Sequence, residues 1–520
     1  MLSKPKKMKL NTQLLILSLA ILVSCGVSED NYTEKKPNII VILADDLGYN
    51  ELSSNGATEI STPGIDRLAE SGLRFTQGYC TSATCTPSRY GLLSGEYPWK
   101  NKNAHVLPGN APLILKPGMT TLPSILKEAG YTTAVVGKWH LGLGNGDVDW
   151  NKRVSPGPAE VGFDYSYILA ATQDRTPTVL LENQMVVGLD PNDPLEVSYK
   201  KNFEGEPTGK KNPEMLKMHP SHGHAQSIHN GISRIGYQKG GKSALWVDED
   251  LADTFTDAAK KWIKENKDST FFLYFTLHQP HVPRTPHPRF VGKSGMGPRG
   301  DVILEADWSV NELINTIDEL GLTEKTMFVF SSDNGPVLDD GYKDDAVVKA
   351  GNHKPTGPLR GGKYSLFDGG TRVPFIVSWP GTIDSGISNA LVCQLDFSAS
   401  IASLLNIDIS DGAPDSQDVM EALLGKSQTG RDELFLEAGG KVALRKGDWF
   451  FIPPNKGPEV YGYVNIESGC SPDYQLYSIS NDIGQQKNLA ADYPDIVKEL
   501  QEYYLNNKNS GEKAEKQVFH

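Results

Sequence analysis

The sequence predicts an α/β protein with two parts. The large domain has a mostly parallel central sheet flanked by helices, and a small C-terminal α+β domain has an antiparallel sheet. Apolar, β-branched runs such as 38–44 alternate with helical patterns, as expected of buried parallel strands joined by crossover helices. From about residue 431 the pattern changes to short strands in close succession, which is typical of a small antiparallel sheet.

Each element is predicted from its own pattern. Short apolar runs indicate buried strands, and apolar residues at helical spacing between capping residues and glycines indicate helices. The predicted strands of the large sheet are 38–44, 131–136, 270–277, 326–330 and 375–378. The predicted helices are 61–71, 121–129, 247–267, 301–320, 396–405 and 494–505. The predicted strands of the small sheet are 433–436, 441–445 and 449–452.

The composition is that of an ordinary globular chain, and it limits the possible partners. Of the 520 residues, 38% are hydrophobic and 22% are charged. The formal net charge of −13 argues against nucleic acid as a partner, and an anionic substrate would require a local basic pocket. The five cysteines are too widely spaced for a disulfide framework. We expect Cys80, Cys393 and Cys470 to be free or to include a single bridge.

Residues 1–24 are predicted to be a lipoprotein signal peptide. Four lysines between residues 4 and 9 precede the apolar run 14–23, which is too short to span a bilayer comfortably. The run ends in Leu-Val-Ser-Cys at 22–25, which resembles the bacterial lipoprotein box. We therefore expect an exported protein, lipid-anchored through Cys25 in the bacterial cell envelope, with 25–36 as a polar tether. The alternative is a plain secretory signal with a chance cysteine.

The segment Cys-Thr-Pro-Ser-Arg at 85–89 indicates a loop that turns into a helix. Pro87 suits the first helical position and Thr86 the cap, which places Cys85 just ahead of the helix. Arg89 would share a helix face with Cys85, and the positive end of the helix favours negative charge. A nucleophile in this setting is suited to attack an anion. A buried structural cysteine fits these five residues equally well.

Polar residues follow four of the predicted strands directly. Two adjacent carboxylates after a buried strand repel each other unless a cation lies between them. A lysine and a histidine two residues apart point the same way from an extended chain. Because ligand sites of open α/β sheets lie beyond the carboxyl ends of the strands, we expect all these side chains to meet at one edge. They are Asp45, Asp46, Lys138, His140, His281, Asp333 and Asn334.

A metal site is predicted from two of these pairs. Asp45, Asp46 and Asp333 offer carboxylate oxygens, and Asn334 offers an amide oxygen. Hard oxygen donors without histidine favour calcium or magnesium and argue against zinc. The predicted ion would therefore be a hard divalent cation at the carboxyl ends of two strands.

Cys-x-Pro-Ser-Arg at 85–89, followed by Leu-x-Ser-Gly at 92–95, resembles the signature of the type I sulfatases of the alkaline phosphatase superfamily. Further matches extend the resemblance from residue 37 to about 490. They include Asp-Asp-Leu-Gly-Tyr at 45–49, Gly-Lys-Trp-His-Leu-Gly at 137–142 and Pro-His-x-Pro at 280–283. Lys363 matches the family lysine that contacts sulfate, and Asp368 stands where glutamate is commoner. The resemblance implies the alkaline phosphatase-like sulfatase fold.

The resemblance also implies a mechanism. A maturation enzyme would convert Cys85 to formylglycine, whose hydrate attacks sulfur and also serves as a metal ligand, with calcium more usual than magnesium. Cationic side chains would stabilise the added negative charge, His281 would serve the leaving oxygen, and His140 would take the proton that lets sulfate leave. The implied catalytic residues are Cys85, Arg89, Lys138, His140, His281 and Lys363.

The predicted catalytic domain covers 37–425 and the C-terminal domain 426–520. Within the former, 157–242 is predicted to be an irregular surface insertion, because it is rich in proline, glycine, asparagine and lysine. Its histidines have no nearby cysteine and no standard zinc spacing. We interpret them, with Asp174 and Arg175, as candidates for substrate specificity. The histidines are His219, His222, His224 and His229.

The expected function is hydrolysis of sulfate esters of sulfated carbohydrates, with polysaccharide or oligosaccharide fragments as substrates and inorganic sulfate as a product. One alternative is a formylglycine-dependent phosphodiesterase or phosphonate hydrolase of the same superfamily, which relative turnover of sulfate and phosphate esters would identify. Another is a non-catalytic glycan-binding lipoprotein on a degenerate fold. That alternative predicts missing ligands, whereas every expected position is filled.

Overall fold

A computed structural model describes residues 1–3, 36–146, 148–409 and 412–517, with side chains of the last helix described to residue 508. The predicted signal peptide therefore lies outside the described residues apart from its first three, and Cys25 lies outside them as well. Residues from Lys36 onward form one compact unit. Within the described chain, no helix is both long enough and apolar enough to cross a membrane.

The strands and helices are numbered in chain order. The strands are β1 (Asn38–Ala44), β2 (Gly72–Tyr79), β3 (Thr132–Lys138), β4 (Tyr165–Leu169), β5 (Leu180–Glu182), β6 (Met185–Val186), β7 (Glu196–Ser198), β8 (Ile228–His229), β9 (Ile232–Ser233), β10 (Tyr237–Lys239), β11 (Phe271–Thr276), β12 (Thr326–Ser332), β13 (Phe375–Ser378), β14 (Gly386–Cys393), β15 (Glu433–Ala438), β16 (Lys441–Lys446), β17 (Trp449–Ile452), β18 (Val460–Tyr461), β19 (Ile466–Glu467) and β20 (Gln475–Ser478). The helices are α1 (Pro63–Glu70), α2 (Cys85–Ser94), α3 (Leu122–Glu128), α4 (Leu251–Glu265), α5 (Gly297–Glu319), α6 (Ala346–Lys349), α7 (Phe397–Leu405), α8 (Met420–Leu423) and α9 (Pro494–Gln517).

The central sheet confirms the predicted fold class. Its ten strands have the order β14-β2-β13-β12-β1-β11-β3-β4-β5-β6. The five neighbours from β12 to β4 run parallel, whereas β13, β5 and β6 pair antiparallel with their neighbours. The carboxyl ends of β12, β1, β11 and β3 therefore lie side by side, which is the geometry that a shared site requires.

The sheet is covered by helices on both faces. Alternate residues of β1 point to opposite faces and therefore pack against different helices. Ile40 and Ile42 belong to the large core that includes residues of α1, α4 and α5. Ile39 and Val41 face the opposite layer, where residues of α3, α7 and α8 lie. All seven residues of β1 are buried, as expected of a central parallel strand.

The C-terminal region forms the predicted small antiparallel sheet, with the order β15-β16-β17-β20. Helix α9 packs on it through Val497, Leu500 and Tyr504. This sheet starts at Glu433 and lies within the same compact unit as the central sheet. The domain limits 37–425 and 426–520 stay predictions.

The description of 157–242 as an irregular surface insertion is wrong for its first part. Residues of β4, β5 and β6 extend the central sheet, and β4 pairs in parallel with β3. These strands are two to five residues long, so their pattern is too short to be recognised without the neighbouring strand. The sequence reading also missed β2 and β14, which mix polar and apolar residues at the margin of the sheet.

Candidate active site

The polar residues predicted from the strand ends do converge. Asp45 and Asp46 follow β1, Asp333 and Asn334 follow β12, and His281 lies in the loop after β11. The parallel pairing of β1 with β12 aligns Ala44 with Ser332, so the two acidic pairs leave the sheet at the same level. Lys138 is the last residue of β3, and His140 lies two residues beyond it. Side-chain contacts between these groups connect all four strand ends.

Cys85 is the first residue of α2, and it is 1% exposed. The helix begins two residues earlier than predicted, after the extended residue Thr84, whose carbonyl accepts a hydrogen bond from the Ser88 N–H at 3.2 Å. Pro87 is accommodated in the first turn because the N–H groups there have no partner within the helix. The predicted cap at Thr86 is therefore wrong, but Cys85 still lies at the helix N-terminus.

His140 is the nearest polar partner of Cys85. The Cys85 Sγ and the His140 Nδ1 are 3.2 Å apart, and the Nε2 atom lies 2.9 Å from the Leu107 carbonyl oxygen. The Thr86 hydroxyl donates to the His140 carbonyl at 2.9 Å, which joins the helix start to the loop after β3. His140 has a left-handed backbone (φ 54°), which is uncommon for a residue other than glycine.

The acidic residues are buried and paired with cations. Lys138 Nζ lies 2.6 Å from Asp45 Oδ2, and Arg89 donates from Nε to Asp333 Oδ2 at 2.8 Å. Lys363 Nζ lies 2.8 Å from Asp46 Oδ2. These contacts place each predicted basic residue against a predicted metal ligand. Arg89 and Lys138 are fully buried, whereas Lys363 also lines the pocket described below.

The two neighbouring aspartates have opposite pKa shifts. Burial raises the pKa of Asp45 well above its usual value, and the nearby Asp333 and Asp46 charges add to this effect while Lys138 opposes it. Burial acts in the same direction on Asp46, but Lys363 and Lys138 outweigh it and lower the pKa of that carboxyl group. Lys138 therefore compensates the burial of the Asp45 carboxyl group only in part.

The donor set fits a hard cation. Among the described residues, Asp45 Oδ1 and Asn334 Oδ1 are buried oxygens with no hydrogen-bond partner. Within the same part of the chain, the set of His, Cys, Asp or Glu side chains close enough to share an ion is Asp45, Asp46 and His281, whose ligand atoms lie within 4.8 Å of one another. Uncompensated oxygens next to carboxylates are the arrangement that calcium or magnesium satisfies.

Packing behind the cluster fixes Asp46. Arg299 of α5 donates to the Asp46 carbonyl oxygen at 3.0 Å and forms two hydrogen bonds with Glu51, at 2.8 and 2.6 Å. Asp46 itself has a left-handed backbone (φ 65°). A bidentate pair between α5 and the loop after β1 therefore holds a strained residue in place.

A pocket of about 190 Å³ opens above Cys85. It joins the strand-end residues to the insertion and to the C-terminal region, so three distant parts of the chain form its walls. The lining residues are Cys85, Val106, Asp174, Arg175, His222, His224, His281, Asp340, Lys363, Tyr364 and Tyr463.

The insertion contributes some of its predicted specificity residues to this pocket. Asp174 pairs with Arg175 at 2.9 Å and with His224 Nε2 at 2.8 Å, and His222 also lines the pocket. His219 and His229 do not line it. The former is exposed, and the ring of the latter contacts the Thr178 hydroxyl at 2.8 Å.

The sequence reading missed four pocket residues, including Asp340 and Tyr364. Lys363 Nζ lies 2.8 Å from Asp340 Oδ2 as well as from Asp46, and the Tyr364 hydroxyl donates to Asp340 at 3.2 Å. Burial alone would lower the pKa of Lys363, but Asp340 and Asp46 raise it well above its usual value. The adjacent acidic residues at 339–340 could have indicated a site residue in the sequence. They follow no strand directly, so the rule for strand ends did not select them.

This fold and site define a member of the sulfatase family, and the family model for sulfatases matches residues 37–407. The chain belongs to this family and is a sulfuric ester hydrolase. The outcome agrees with the filled set of site residues and excludes a non-catalytic binding protein.

Curated relatives align along nearly the whole chain. An N-acetylgalactosamine-6-O-sulfatase of Bacteroides thetaiotaomicron is 49% identical over 494 residues, which cover 94% of this chain and 97% of the relative. Human arylsulfatase A is 28% identical, with 94% of this chain and 90% of that protein covered.

Solved structures also match this chain over most of its length. A structure from B. thetaiotaomicron, solved in a study of the metabolism of multiple glycosaminoglycans, matches with a TM-score of 0.90 and 50% identity, covering 91% of this chain and all of that one. A phosphonate monoester hydrolase of Agrobacterium radiobacter matches with a TM-score of 0.54 and 16% identity, covering 91% of this chain and 96% of that one. The latter similarity shows the fold alone.

Proposed function

We propose that this sulfatase removes the 6-O-sulfate group from N-acetylgalactosamine in glycosaminoglycan fragments, using a formylglycine made from Cys85 and one calcium ion. The observation that carries the proposal is the 49% identity, over nearly the full length of both chains, with an enzyme named for that reaction. The proposal is also consistent with a pocket lined by Cys85, by the cationic groups of Arg175 and Lys363 and by further polar groups suited to sugar hydroxyls.

The proposed calcium ion would be held by Asp45, Asp46, Asp333 and Asn334, with residue 85 as a further ligand. When bound, the ion supplies positive charge next to the sulfate oxygens and lowers the pKa of an oxygen ligand. Support for this ligand set comes from the partnerless oxygens of Asp45 and Asn334 and from the burial of the Asp45 carboxyl group, which Lys138 compensates only in part. Lys138 and Arg89 hold Asp45 and Asp333 from behind, so we propose that they position ligands.

The proposed formylglycine would replace the thiol with a hydrated aldehyde, whose oxygen is a better nucleophile for sulfur and whose carbonyl can re-form. Burial raises the pKa of the Cys85 thiol, although Lys138 and Lys363 oppose this. An unmodified thiol is therefore largely protonated, which supports the need for a different nucleophile. His140 Nδ1, next to residue 85, is placed to accept its proton.

Lys363 and His281 are placed to serve the oxygen of the departing sugar. Both line the pocket, and both lie near Asp46, His281 Nε2 at 3.8 Å and Lys363 Nζ at 2.8 Å. The His281 Nδ1 lies 2.7 Å from the Val282 carbonyl oxygen, so Nδ1 carries the proton and Nε2 is left towards the pocket. The ammonium group of Lys363 is thus placed to donate a hydrogen bond to this oxygen, and it also attracts the sulfate charge.

Asp174, Arg175, His222 and His224 are the proposed contacts for sugar hydroxyls. Burial would raise the pKa of Asp174, but Arg175 and His224 hold it well below its usual value, so the side chain accepts hydrogen bonds as a carboxylate. The lining thus offers acceptors and donors in close proximity, which is the usual way that a pocket fixes the orientation of a polar ligand.

The predicted lipid anchor at Cys25 remains part of the proposal for location. It rests on the sequence of residues 1–25, which lie almost entirely outside the described residues. An enzyme held at the cell envelope would encounter polysaccharide fragments as they enter the cell.

The decisive experiment combines mass spectrometry with sulfate release. Enzyme produced with and without a formylglycine-generating maturation enzyme is compared for the state of residue 85 and for hydrolysis of N-acetylgalactosamine 6-sulfate. We expect activity to rise in proportion to the aldehyde content. Full activity of a wholly unmodified preparation, or faster turnover of the corresponding phosphate ester, would contradict the proposal.

A further inference from the structure

A half-exposed tyrosine stands at the mouth of the pocket, and the reaction described above does not use it. Tyr463 is 49% exposed, whereas the other residues that line the pocket are buried or half-buried. It lies in the turn between β18 and β19, which belongs to the C-terminal region. Its ring lies 5.7 Å from that of His222 and 6.0 Å from that of Tyr364, measured between centroids. The three rings thus form one aromatic rim.

The rim is rigidly attached to the loop that carries Lys363. Arg360 forms a bidentate pair with Glu467 of β19, at 2.9 and 2.6 Å. The Ser365 hydroxyl donates to the Glu467 carbonyl oxygen at 2.6 Å, and the Leu366 N–H donates to the Ser468 carbonyl oxygen at 2.9 Å. These bonds flank Lys363 on both sides, so the position of the hairpin and the position of the catalytic lysine are set together.

The turn that presents Tyr463 is itself well defined. The N–H groups of Val464 and Asn465 both donate to the Tyr461 carbonyl oxygen, at 3.2 and 2.8 Å. Asn465 adopts a left-handed conformation (φ 54°), which asparagine tolerates better than most residues. A fixed backbone presents the ring without a large loss of side-chain entropy when a ligand binds.

The volume of the pocket determines which part of an oligosaccharide lies next to the Tyr463 ring. Its volume of about 190 Å³ is below the range of roughly 300–1,000 Å³ typical of cavities that enclose a drug-sized ligand. The pocket therefore has room for one sulfated sugar, with its sulfate at Cys85. The next sugar of an oligosaccharide must lie at the rim, where Tyr463 is exposed.

We propose that Tyr463 is a binding residue for the sugar joined to the sulfated one, and that its ring packs against the C–H face of that second pyranose. The inference rests on the proposed action on glycan fragments. Aromatic rings offer a large, rigid, apolar surface, and the axial C–H groups of a pyranose form a matching one. The enzyme would thereby prefer an oligosaccharide to a free monosaccharide.

The experiment compares two substrates in the fully matured enzyme. They are N-acetylgalactosamine 6-sulfate and the disaccharide in which this sugar is linked to glucuronate. We expect Tyr463→Ala to raise KM for the disaccharide about tenfold, with kcat unchanged, because a contact equal in ground and transition states affects KM alone. KM for the monosaccharide should stay within about twofold of the wild-type value. Tyr463→Phe should behave as the wild type, since it keeps the ring.

A second variant weakens the attachment of the β18–β19 hairpin without removing the ring of Tyr463. Glu467→Gln breaks the charged pair with Arg360, and it should raise KM for the disaccharide in the same direction but less than Tyr463→Ala. The matched control is Tyr493→Ala, because Tyr493 is 45% exposed and packs on Trp449 of the small sheet, away from the pocket. Thermal unfolding of each variant reports whether it is folded.

Two results would overturn the inference. One is an unchanged KM for the disaccharide in a folded Tyr463→Ala variant, and the other is an equal increase for monosaccharide and disaccharide. Failure of the proposed function has a different signature, because the wild-type enzyme would then release no sulfate from either substrate. The two hypotheses are therefore tested by separate measurements on the same preparations.

Discussion

The sulfur of Cys85 lies 3.2 Å from Nδ1 of His140, whose other ring nitrogen faces the Leu107 carbonyl oxygen at 2.9 Å. A carbonyl oxygen only accepts hydrogen bonds, so the ring proton resides on Nε2 and Nδ1 is the acceptor. Burial, aided by Lys138 and Arg175, lowers the pKa of His140 well below its usual value. The ring next to residue 85 is therefore neutral and ready to accept a proton at ordinary pH.

Replacing His140 should abolish most of the activity. We expect His140→Ala to lower kcat by roughly 10²–10⁴, the usual contribution of a positioned general base. The measurement is sulfate release by preparations with equal aldehyde content at residue 85. His229→Ala is the matched control, since His229 is a half-buried histidine of the insertion outside the pocket. Activity of His140→Ala within a few-fold of the wild type would contradict the role.

Removal of the metal should reduce both activity and stability. Chelation with EGTA is expected to inactivate the wild-type enzyme, and calcium should restore activity and raise the melting temperature, because the ion binds only the folded chain. Asp333→Ala should bind no stoichiometric calcium in elemental analysis and should show no calcium-dependent rise in melting temperature. Stoichiometric zinc in the active wild-type enzyme, without calcium or magnesium, would refute the assignment.

The carboxylate of Asp174 in the pocket should control recognition of the sugar. Asp174→Asn keeps the shape of the side chain but weakens hydrogen bonds to a charged acceptor, whose net worth is about 1.5–3 kcal/mol. We expect kcat/KM for the sulfated sugar to fall about tenfold to a hundredfold. Turnover of a simple aryl sulfate should change little. His219→Ala, an exposed histidine of the same insertion, is the control, and equal losses on both substrates would argue for a structural role.

A buried carboxyl group on α5 should make stability depend on pH. Burial raises the pKa of Glu305 to about 7, while Gln279, the His287 N–H and Arg289 favour its charged form and Asp253 opposes it. In the unfolded chain its pKa is about 4.3, so between these values the native state binds more protons and stability falls as pH rises. The upper limit of this loss is roughly 4 kcal/mol.

Glu305→Gln should remove that part of the pH dependence. Urea unfolding between pH 4.5 and 8 is the measurement, and the variant should become more stable relative to the wild type as pH rises through 7. Glu319→Gln serves as control, because Glu319 is an exposed carboxyl group of the same helix. A constant difference between Glu305→Gln and the wild type across this range would show that the shift is absent.

Cys25 should determine the membrane association of the protein. Replacing it with serine removes the predicted acceptor of the lipid, so the Cys25→Ser variant should move from the membrane fraction to the soluble fraction of cells. Cys470→Ser is a matched control, because Cys470 is a free cysteine of the folded chain. Unchanged sedimentation of Cys25→Ser with membranes would contradict the lipoprotein assignment.

The sequence was informative where local pattern and topology agree. The long apolar runs predicted β1, β11 and β12 to within two residues at each end, and the rule for strand ends then brought Asp46, Lys138 and His281 to one site. Asp340, Tyr364 and Tyr463 could not be found in this way. They reach the pocket from loops whose paths depend on long-range contacts such as that between Arg360 and Glu467.

The first residue of α2 is a second feature that the sequence alone could not predict. Proline is favoured at the first helical position, but the first turn as a whole tolerates it, so the sequence alone does not decide between registers that differ by two residues. The contact between the Thr86 hydroxyl and the His140 carbonyl fixes one register, and it joins residues more than fifty positions apart.

The burial of Cys85 determines at which stage an enzyme can reach this side chain. In the folded chain this side chain is 1% exposed, sits within the first turn of a helix and is covered by His140. The proposed conversion to formylglycine would require a maturation enzyme to hold the segment around residue 85, and the folded chain leaves that segment inaccessible. If the proposal is right, conversion would have to precede folding, and a chain that folds first would stay unconverted and inactive.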